Sequence, residues 1–415
     1  MGTQGIPARF RVWVAASTVS QIGDAILYFG LGWYASAHGG GAAGLVLAAV
    51  TVPRAVLMLV GGAVSDRRGP RAVLLAADVA MATVALTTLA AVAGWGTPLW
   101  LLAALAAATG TLTSFAYPAA GAFPALIVPE PVLPRALALR NAGAQLAALA
   151  GNPLGGLVVA AGGMVAVLGL DALSFAAVVV VVALVRTPPV VPREVSSLLG
   201  EIRAGLRVAA GDPALRQVFG LYAVAGGLVL PLEALLLPLL ARSAGWSAAE
   251  TGLVAGAIGV GAFAGALLVS RTGTHRRAGM LAGAGLAGTA MGAVGLVLAP
   301  GPVWGIAAGL VDGLGLALFI AHAGPVIVAR SPAGHLSRMQ ALLGVVQSVT
   351  LVATNALVGL LASLTGPAAA TFAVAAGLAA AGVLAGTRRT FDRERVGGGG
   401  RESNPPDRGA RPRRF

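Results

Sequence analysis

The 415-residue chain has no cysteine, which excludes disulfide bonds, thiolate metal sites and cysteine nucleophiles. It has no lysine either, so all 28 of its basic residues are arginines. Charged residues make up only 10% of the chain and hydrophobic residues 57%, which leaves too little polar surface for a water-soluble fold. The composition therefore indicates a membrane protein.

Catalytic and nucleotide-binding motifs are also lacking. The chain has no phosphate-binding loop, which excludes an ATP-driven pump. His322 is the only histidine inside an apolar run, and candidate catalytic side chains do not cluster at one depth, so we expect no enzyme, metal site or cofactor. The net charge of +13 lies in short loops and a tail, so we expect no nucleic-acid partner. No gap is long enough for the folded soluble domain of a sensor or scaffold.

What the chain has instead is a series of long apolar runs. Each contains about 20 residues or more, the length that a helix needs to cross roughly 30 Å of hydrocarbon. The sequence therefore predicts an all-α polytopic membrane protein with twelve transmembrane helices. The predicted spans are residues 12–37, 41–64, 72–93, 98–120, 141–162, 164–186, 215–240, 248–270, 278–299, 302–328, 337–362 and 367–387.

The arginines are distributed unevenly among the gaps between these spans. All but two of them precede the first span, lie in every second gap or lie in the C-terminal tail. The exceptions are Arg54, inside the second span, and Arg242, in a gap of the opposite set. Basic residues near span ends are retained on the cytoplasmic side. We therefore predict a multi-pass protein of the cell membrane with both termini in the cytoplasm.

The spans fall into two halves that resemble each other. Gly62–Arg68 and Gly265–Arg271 have similar sequences and end the second span of each half. The longest interior gap begins rich in proline and continues with apolar residues spaced for an amphipathic helix over 196–207. The predicted domains are a six-helix bundle (1–186), a cytoplasmic linker (187–214), a second six-helix bundle (215–387) and a disordered basic cytoplasmic tail (388–415).

One loop carries a motif with regular glycine and charge spacing. Its defining residues are Gly62, Asp66, Arg67, Gly69 and Arg71. This loop is similar to the signature between helices 2 and 3 of the major facilitator superfamily, although Pro70 stands where a basic residue is usual. The resemblance covers all twelve spans and implies two pseudo-symmetric halves around a central cavity. It also implies that the loop is a cytoplasmic latch between the halves, with the helix starting near Ser337 as the partner of Asp66.

A second segment resembles the Gly-Pro and Gly-Gly motif of antiporters within that superfamily, with its proline one place late. It comprises Gly151, Asn152, Pro153, Leu154, Gly155 and Gly156. Residues 170–175 and 197–207 look like the branch of exporters that contains enterobactin and macrolide efflux proteins. The resemblance implies drug:proton antiport, with a drug, a macrolide or a siderophore as the exported compound.

Few charged side chains lie at membrane depth, where each costs about 2.5 to 3.5 kcal/mol and needs a partner or an aqueous cavity. Asp24 and Arg54 lie at similar depth on consecutive spans, so either they neutralise each other or Asp24 exchanges protons at the cavity. Glu233 and Asp312 have no obvious basic partner except His322, three turns from Asp312. Burial favours the protonated form of a carboxyl group. We therefore interpret Asp24, Glu233 and Asp312 as candidate proton carriers, or as carboxyl groups hydrogen-bonded to neighbouring helices.

The scarce aromatic and amide side chains within the spans are candidates for a binding pocket. The candidates are Tyr28, Trp33, Phe115, Tyr117, Gln145, Tyr222 and Gln347. The leading hypothesis is a monomeric, proton-driven exporter of a small amphipathic compound, embedded in the lipid bilayer and working by alternating access. The alternatives are an importer or uniporter of the same fold, or a membrane protein that does not transport.

Overall fold

A computed structural model of the chain describes residues 5–185, 187, 206–273, 277–331 and 336–387. The helices in this part of the chain are α1 (Ala8–Ser36), α2 (Gly40–Arg68), α3 (Pro70–Trp95), α4 (Leu99–Ile127), α5 and α6 (within Leu133–Leu184), α7 (Pro213–Ser243), α8 (Ala248–Thr272), α9 (Ala278–Leu298), α10 (Pro302–Arg330), α11 (Leu336–Thr365) and α12 (Pro367–Thr387). The tail at 388–415 and most of the predicted linker helix at 196–207 lie outside the described residues, although residues 206–211 are helical.

The described helices account for the predicted twelve crossings. Eleven helical segments are long and apolar enough to cross a membrane, and one of them covers 55 residues, Glu130–Leu184. Gly163 breaks this segment with φ 61° and ψ −156°, a conformation that only glycine adopts without strain. The break divides it into α5 (133–162) and α6 (164–184), so that eleven segments make twelve spans. The predicted all-α class with twelve transmembrane helices is therefore confirmed.

Several helices extend beyond the spans predicted from hydropathy. The predicted gap from 121 to 140 is largely helical, because α4 continues to Ile127 and α5 begins at Leu133 after a short 3₁₀ turn, Glu130–Val132. Hydropathy reports the length that contacts hydrocarbon, whereas a helix continues into water until its backbone is capped. The apolar runs therefore predict the number of helices better than their ends.

The chain turns are of two kinds, which define two faces of the bundle. One face carries the arginines near the start of α1 and those of every second connection from the one between α2 and α3 onward, including Arg9, Arg71 and Arg330, and we call it the arginine-rich face. The opposite face consists of tight turns, several of them at glycines with positive φ, such as Gly39, Gly96 and Gly366. Both ends of the described chain lie at the arginine-rich face.

The two halves repeat one pattern of helix packing. In the first half α1 packs on α5 and α6, α2 on α4, and α3 on α4 and α6. In the second half α7 packs on α11 and α12, α8 on α10, and α9 on α10 and α12. Small residues bring the backbones together, as at Gly313 against the Ile258 carbonyl. Moving each helix number by six converts one pattern into the other, which is the pseudo-symmetry expected of the halves.

The halves contact each other mainly through α2 with α11 and α5 with α8. The close approaches lie toward the opposite face. A Cβ on Gly44 would lie 3.0 Å from Gly359 Cα, and a Cβ on Gly156 would lie 2.7 Å from Gly252 Cα. These glycine pairs hold the halves together at the face remote from the arginines.

Candidate functional site

A cavity of about 360 Å³ lies between the two halves. Three of its lining side chains are polar: Tyr28 from α1, Asn152 from α5 and Glu233 from α7. The rest of the wall is small or apolar, contributed by Ala25, Ala148, Ala255, Ile258, Gly259, Ala262 and Leu316. Apolar walls with a few convergent polar groups are typical of small-molecule sites, and the volume is near the lower end of their range of roughly 300 to 1,000 Å³.

Glu233 reaches this cavity from an irregular part of α7. The helix passes through a π-helical turn at Leu232–Leu236, directly after Pro231. Proline lacks a backbone N–H and disturbs the regular hydrogen-bond ladder, and π turns of this kind are frequent at functional sites. The same turn places the Ala234 carbonyl against Gly32 of α1, 2.8 Å from where its Cβ would lie. The acid of the cavity thus lies on the segment of α7 that contacts the other half.

Asp312 lies behind the cavity wall. It is completely buried on α10, one turn before the cavity-lining Leu316, and packs on Gly292 of α9. Neither of its carboxylate oxygens has a hydrogen-bond partner among the described residues. Thr289 donates instead to the Asp312 backbone carbonyl, at 3.1 Å. Glu233 is close enough to interact electrostatically with Asp312, so the second half holds two acids near one another.

A second group of acids lies inside the first half. Asp24 of α1 is close enough to interact electrostatically with Asp78 of α3 and Asp171 of α6. Asp78 and Asp171 are 5% and 2% exposed, and each of the three acids has a buried carboxylate oxygen without a hydrogen-bond partner in the described part of the chain. Gly23 allows α1 to approach α6 here, because its Cβ would lie 3.3 Å from Asp171 Oδ1.

Arg54 lies near these acids but does not form an ion pair with Asp24. It interacts with Asp24 and Tyr28 electrostatically. Its guanidinium lies over the ring of Tyr117, 5.5 Å from the centroid, in a cation–π contact. Direct neutralisation of Asp24 by Arg54, one of the two alternatives, is therefore absent from this conformation.

The other predicted cavity residues are dispersed. Tyr222 packs on Phe319 at 5.0 Å, Gln347 lies against Gly226, and Phe115 belongs to the apolar cluster near the arginine-rich face. Gln145 is exposed. Of the seven predicted cavity residues, only Tyr28 lines the cavity, and Glu233, predicted as a proton carrier, lines it as well. The expected pairing of His322 with Asp312 is replaced by a 2.9 Å hydrogen bond between His322 Nδ1 and the Leu318 carbonyl, one turn away on the same helix.

Trp33 forms part of a closure at the opposite face. The Arg242 guanidinium donates to the Trp33 carbonyl at 2.8 Å and to Ser36 Oγ at 2.8 Å. It also lies over the Trp33 ring, 4.1 Å from the centroid. These contacts connect the last turn of α1 to the last turn of α7, and therefore connect the two halves. The isolation of Arg242 in a set of otherwise uncharged gaps was the sequence signal for this contact.

The predicted latch motif lies at the arginine-rich face. Asp66 and Arg67 are exposed, and among the side chains that the structure describes Asp66 forms no ion pair. The side chain of Ser337, in its implied partner helix, lies outside the described residues. Gly69 turns α2 into α3 with φ 88°. Gly62 has open space around it, whereas the neighbouring Gly61 brings α2 close to α4, against the Ser114 carbonyl.

Arg71 of the same motif binds backbone carbonyls within the first half. Its guanidinium donates to the carbonyls of Val182 at 3.1 Å and Ala183 at 2.8 Å. These are the last residues of α6 in the same half. Arg71 therefore stabilises the first half itself at the arginine-rich face.

The antiporter-like segment lies where α5 meets both α1 and α8. Gly151 and Gly155 contact Ala25 and Phe29 of α1, and Pro153 and Gly156 contact Gly256 and Gly252 of α8, as the space around these glycines shows. Asn152, between them, lines the cavity. The sequence alone did not distinguish Asn152 from the other residues of this segment, because the orientation of one residue on a proline-containing helix is not evident from the sequence.

Twelve spans in two similar halves around a central cavity are the architecture of a secondary transporter. Residues 13–311 match the family model described as Major Facilitator Superfamily, which is more than half of the chain. The chain belongs to the major facilitator superfamily, a family of membrane transporters. Among curated proteins, none has a sequence that matches this chain.

Solved structures with a similar fold are themselves transporters. A bacterial homologue of the human lysosomal transporter Spinster, inward-facing and unoccupied, has a TM-score of 0.69 at 15% identity, over 92% of this chain and 95% of that one. A POT family transporter in complex with 5-aminolevulinic acid has a TM-score of 0.67 at 13% identity, over 92% and 96%. The Escherichia coli fucose:proton symporter has a TM-score of 0.57 at 15% identity, over 91% and 97%. At these identities the likeness concerns the fold alone.

Proposed function

We propose that the protein is a proton-coupled exporter of a small amphipathic compound, working by alternating access in the cell membrane. The observation that carries this proposal is the cavity between the halves, which is lined by one acidic side chain and otherwise mostly by apolar ones. An amphipathic compound requires such a combination, because its apolar part needs a dry wall and its polar part a fixed partner.

The distribution of arginines supports the orientation of the protein. With the arginine-rich face in the cytoplasm, both termini are cytoplasmic and the glycine contacts and the Arg242 contacts close the extracellular side. The conformation is then one in which the compound enters from the cytoplasm. Release requires α1 and α7 to separate at the other face.

Proton coupling is assigned to Glu233 and Asp312, with Asp24 as a third candidate. Glu233 contacts the cavity and is within electrostatic reach of Asp312. Two neighbouring acids in a nonpolar interior do not both ionise easily, since each charge disfavours the other. Binding of a compound at Glu233 therefore changes the affinity of this pair for a proton, which is the requirement for exchange of the two.

The exporter assignment depends on the resemblance of residues 151–156 and 170–175 to antiporters and to the enterobactin and macrolide efflux branch. The contacts of Gly151 and Gly156 with α1 and α8 support a role of this segment in the movement of the halves. An importer or uniporter of the same fold is the second candidate, since the cavity itself carries no sign of direction.

The test is uptake of neutral and cationic amphipathic dyes into inside-out membrane vesicles with an acidic lumen. We expect uptake that stops when a protonophore collapses the pH gradient, accompanied by loss of protons from the lumen. Vesicles without the protein correct for passive accumulation of weak bases. Flux that is independent of the pH gradient would leave transport standing and remove the antiporter.

A further inference from the structure

The cavity also indicates which class of compound is bound. This inference rests on the proposed function, because it takes the cavity as the substrate site. Its three polar side chains differ in chemistry but share one property. The Glu233 carboxylate, the Asn152 amide oxygen and the Tyr28 hydroxyl can all accept a hydrogen bond. They come from three helices, α7, α5 and α1, and so from both halves of the protein. A group that donates several hydrogen bonds is the complement of this set.

Charge near the cavity favours a cation. Glu233 is accompanied by Asp312 in the second half, and Asp24 by Asp78 and Asp171 in the first. Arg54 is the basic side chain that interacts with Asp24 and Tyr28, and it is held by the Tyr117 ring. Among these described groups the acids outnumber the one arginine. An ammonium group at the cavity would stabilise the ionised form of these acids and be attracted by it, whereas an anion would destabilise that form.

Asn152 adds directionality to this charge preference. It lies immediately before Pro153, whose missing N–H leaves the Leu149 carbonyl without its usual donor in the helix. Leu149 packs against Gly259, which lines the cavity, so this carbonyl acceptor lies on the same stretch of α5 as Asn152. A carboxylate alone attracts any cation. Amide and carbonyl acceptors distinguish a cation with N–H groups from one without them.

We propose that Asn152 is the specificity-determining residue of this cavity, and that with Tyr28 and Glu233 it selects small amphipathic amines that carry at least one ammonium N–H. The alanine-lined volume of about 360 Å³ fits compounds of this size better than macrocycles. The ammonium group lies among the three acceptors, and the hydrocarbon part lies against Ile258 and Leu316.

The test is binding of three matched probes to the purified full-length protein, measured by isothermal titration calorimetry. The probes are phenylbutylamine, its trimethylammonium derivative and phenylbutanol. They share one hydrocarbon part and differ in charge and in N–H groups. For the wild-type protein we expect the amine to bind about tenfold more tightly than the trimethylammonium compound, as the loss of one or two hydrogen bonds predicts, and the alcohol to bind most weakly.

The variants separate the two contributions. Asn152→Ala should abolish the preference for the amine over the trimethylammonium compound, and Glu233→Gln should abolish the preference for either cation over the alcohol. Asn141→Ala removes the same side chain from an exposed position of α5 and should change neither preference. If Asn152→Ala does not fold, Tyr28→Phe tests the same selectivity and should reduce the amine preference several-fold.

Equal binding of the amine and the trimethylammonium compound by the wild-type protein would overturn this inference, as would an Asn152→Ala variant with unchanged selectivity. The inference and the proposed function fail separately. Selective amine binding without proton-coupled uptake in vesicles would remove the antiporter and leave the site. Proton-coupled uptake of compounds that lack an amine, without this selectivity, would do the reverse.

Discussion

Single carboxyl groups determine the coupling that we propose. Glu233→Gln and Asp312→Asn keep the size of each side chain but cannot exchange a proton at neutral pH. We expect each variant to lose more than about tenfold of the uptake driven by a pH gradient, and Asp312→Asn, behind the cavity wall, to keep exchange of internal for external compound, which needs no proton movement. Asp24→Asn should behave in the same way if the first half also carries a proton. Uptake of labelled dye in the two modes measures both quantities.

The control for this prediction is Glu250→Gln. Glu250 lies in the first turn of α8, where its carboxylate accepts from the Ser247 backbone N–H at 2.7 Å and from the Ser247 hydroxyl at 2.8 Å, so it serves the helix end rather than the cavity. Its substitution should leave coupling intact. Wild-type coupling in Glu233→Gln, Asp312→Asn and Asp24→Asn together would remove all three from the proposed proton pathway.

Single glycines determine the packing. Gly313→Val introduces a side chain where the Ile258 carbonyl touches the helix, and backbone atoms cannot move away as a flexible side chain can. Overpacking of this kind costs about 1 to 3 kcal/mol or more. We expect a thermal unfolding temperature several degrees lower in detergent, measured by intrinsic fluorescence. Gly301→Ala, at a position with open space and extended backbone, should unfold like the wild-type protein.

At the scale of the helices, the contact between α1 and α7 should control access from the opposite face. Arg242→Gln removes the charge-assisted hydrogen bonds to Trp33 and the contact with its ring. Such bonds contribute about 1.5 to 3 kcal/mol, so the balance between closed and open states should shift about tenfold or more toward opening. The lack of native cysteine allows a single reporter, Ala25→Cys in the cavity, to be labelled by an impermeant thiol reagent from that face.

Labelling of this reporter should be faster in Arg242→Gln than in the wild-type background. Arg242→Lys keeps the charge but not the planar fork, and should give an intermediate rate. Arg271→Gln, at the arginine-rich face, should have no effect on labelling from the opposite side. An unchanged rate in Arg242→Gln would show that the glycine contacts of α2 with α11 and α5 with α8 suffice for closure.

The helices also show what the sequence can and cannot predict. The number of spans follows from apolar length alone, since hydrocarbon thickness sets it. The break at Gly163 was predicted as a gap between two spans because α5 and α6 are each of membrane length. The π turn that carries Glu233 and the extension of α4 to Ile127 were not predicted, since they depend on contacts with other helices and on capping.

The candidate site was less predictable than the helices. Glu233 and Tyr28 were identified because polar groups inside apolar runs need a reason to be there, and both line the cavity. Trp33, Phe115 and Gln145 were predicted as cavity residues on the same grounds as Tyr28, but their side chains lie in other surroundings. A residue type predicts a need for a partner, whereas which partner it meets depends on helix rotation and on packing between spans that are distant in sequence.

At the scale of the whole molecule, the orientation is testable by labelling from one side. A single cysteine at Gly301, in a turn of the opposite face, should react with an impermeant reagent on intact cells. A single cysteine at Arg135, at the start of α5, should react only after the membrane is permeabilised. The reverse result would invert the protein in the membrane and would make the captured conformation open to the outside.

The contact between Gly156 and Gly252 has a mechanical consequence. The backbones of α5 and α8 meet directly at this point, so the proposed movement between the halves requires no change of side-chain rotamer at this contact. The energy barrier to the proposed rocking would then come mainly from polar contacts at the opposite face, above all those of the Arg242 guanidinium with Trp33. In the proposed cycle, Arg242 would therefore determine how often the opposite face opens, whereas the glycine contacts between the halves would add little to the energy barrier.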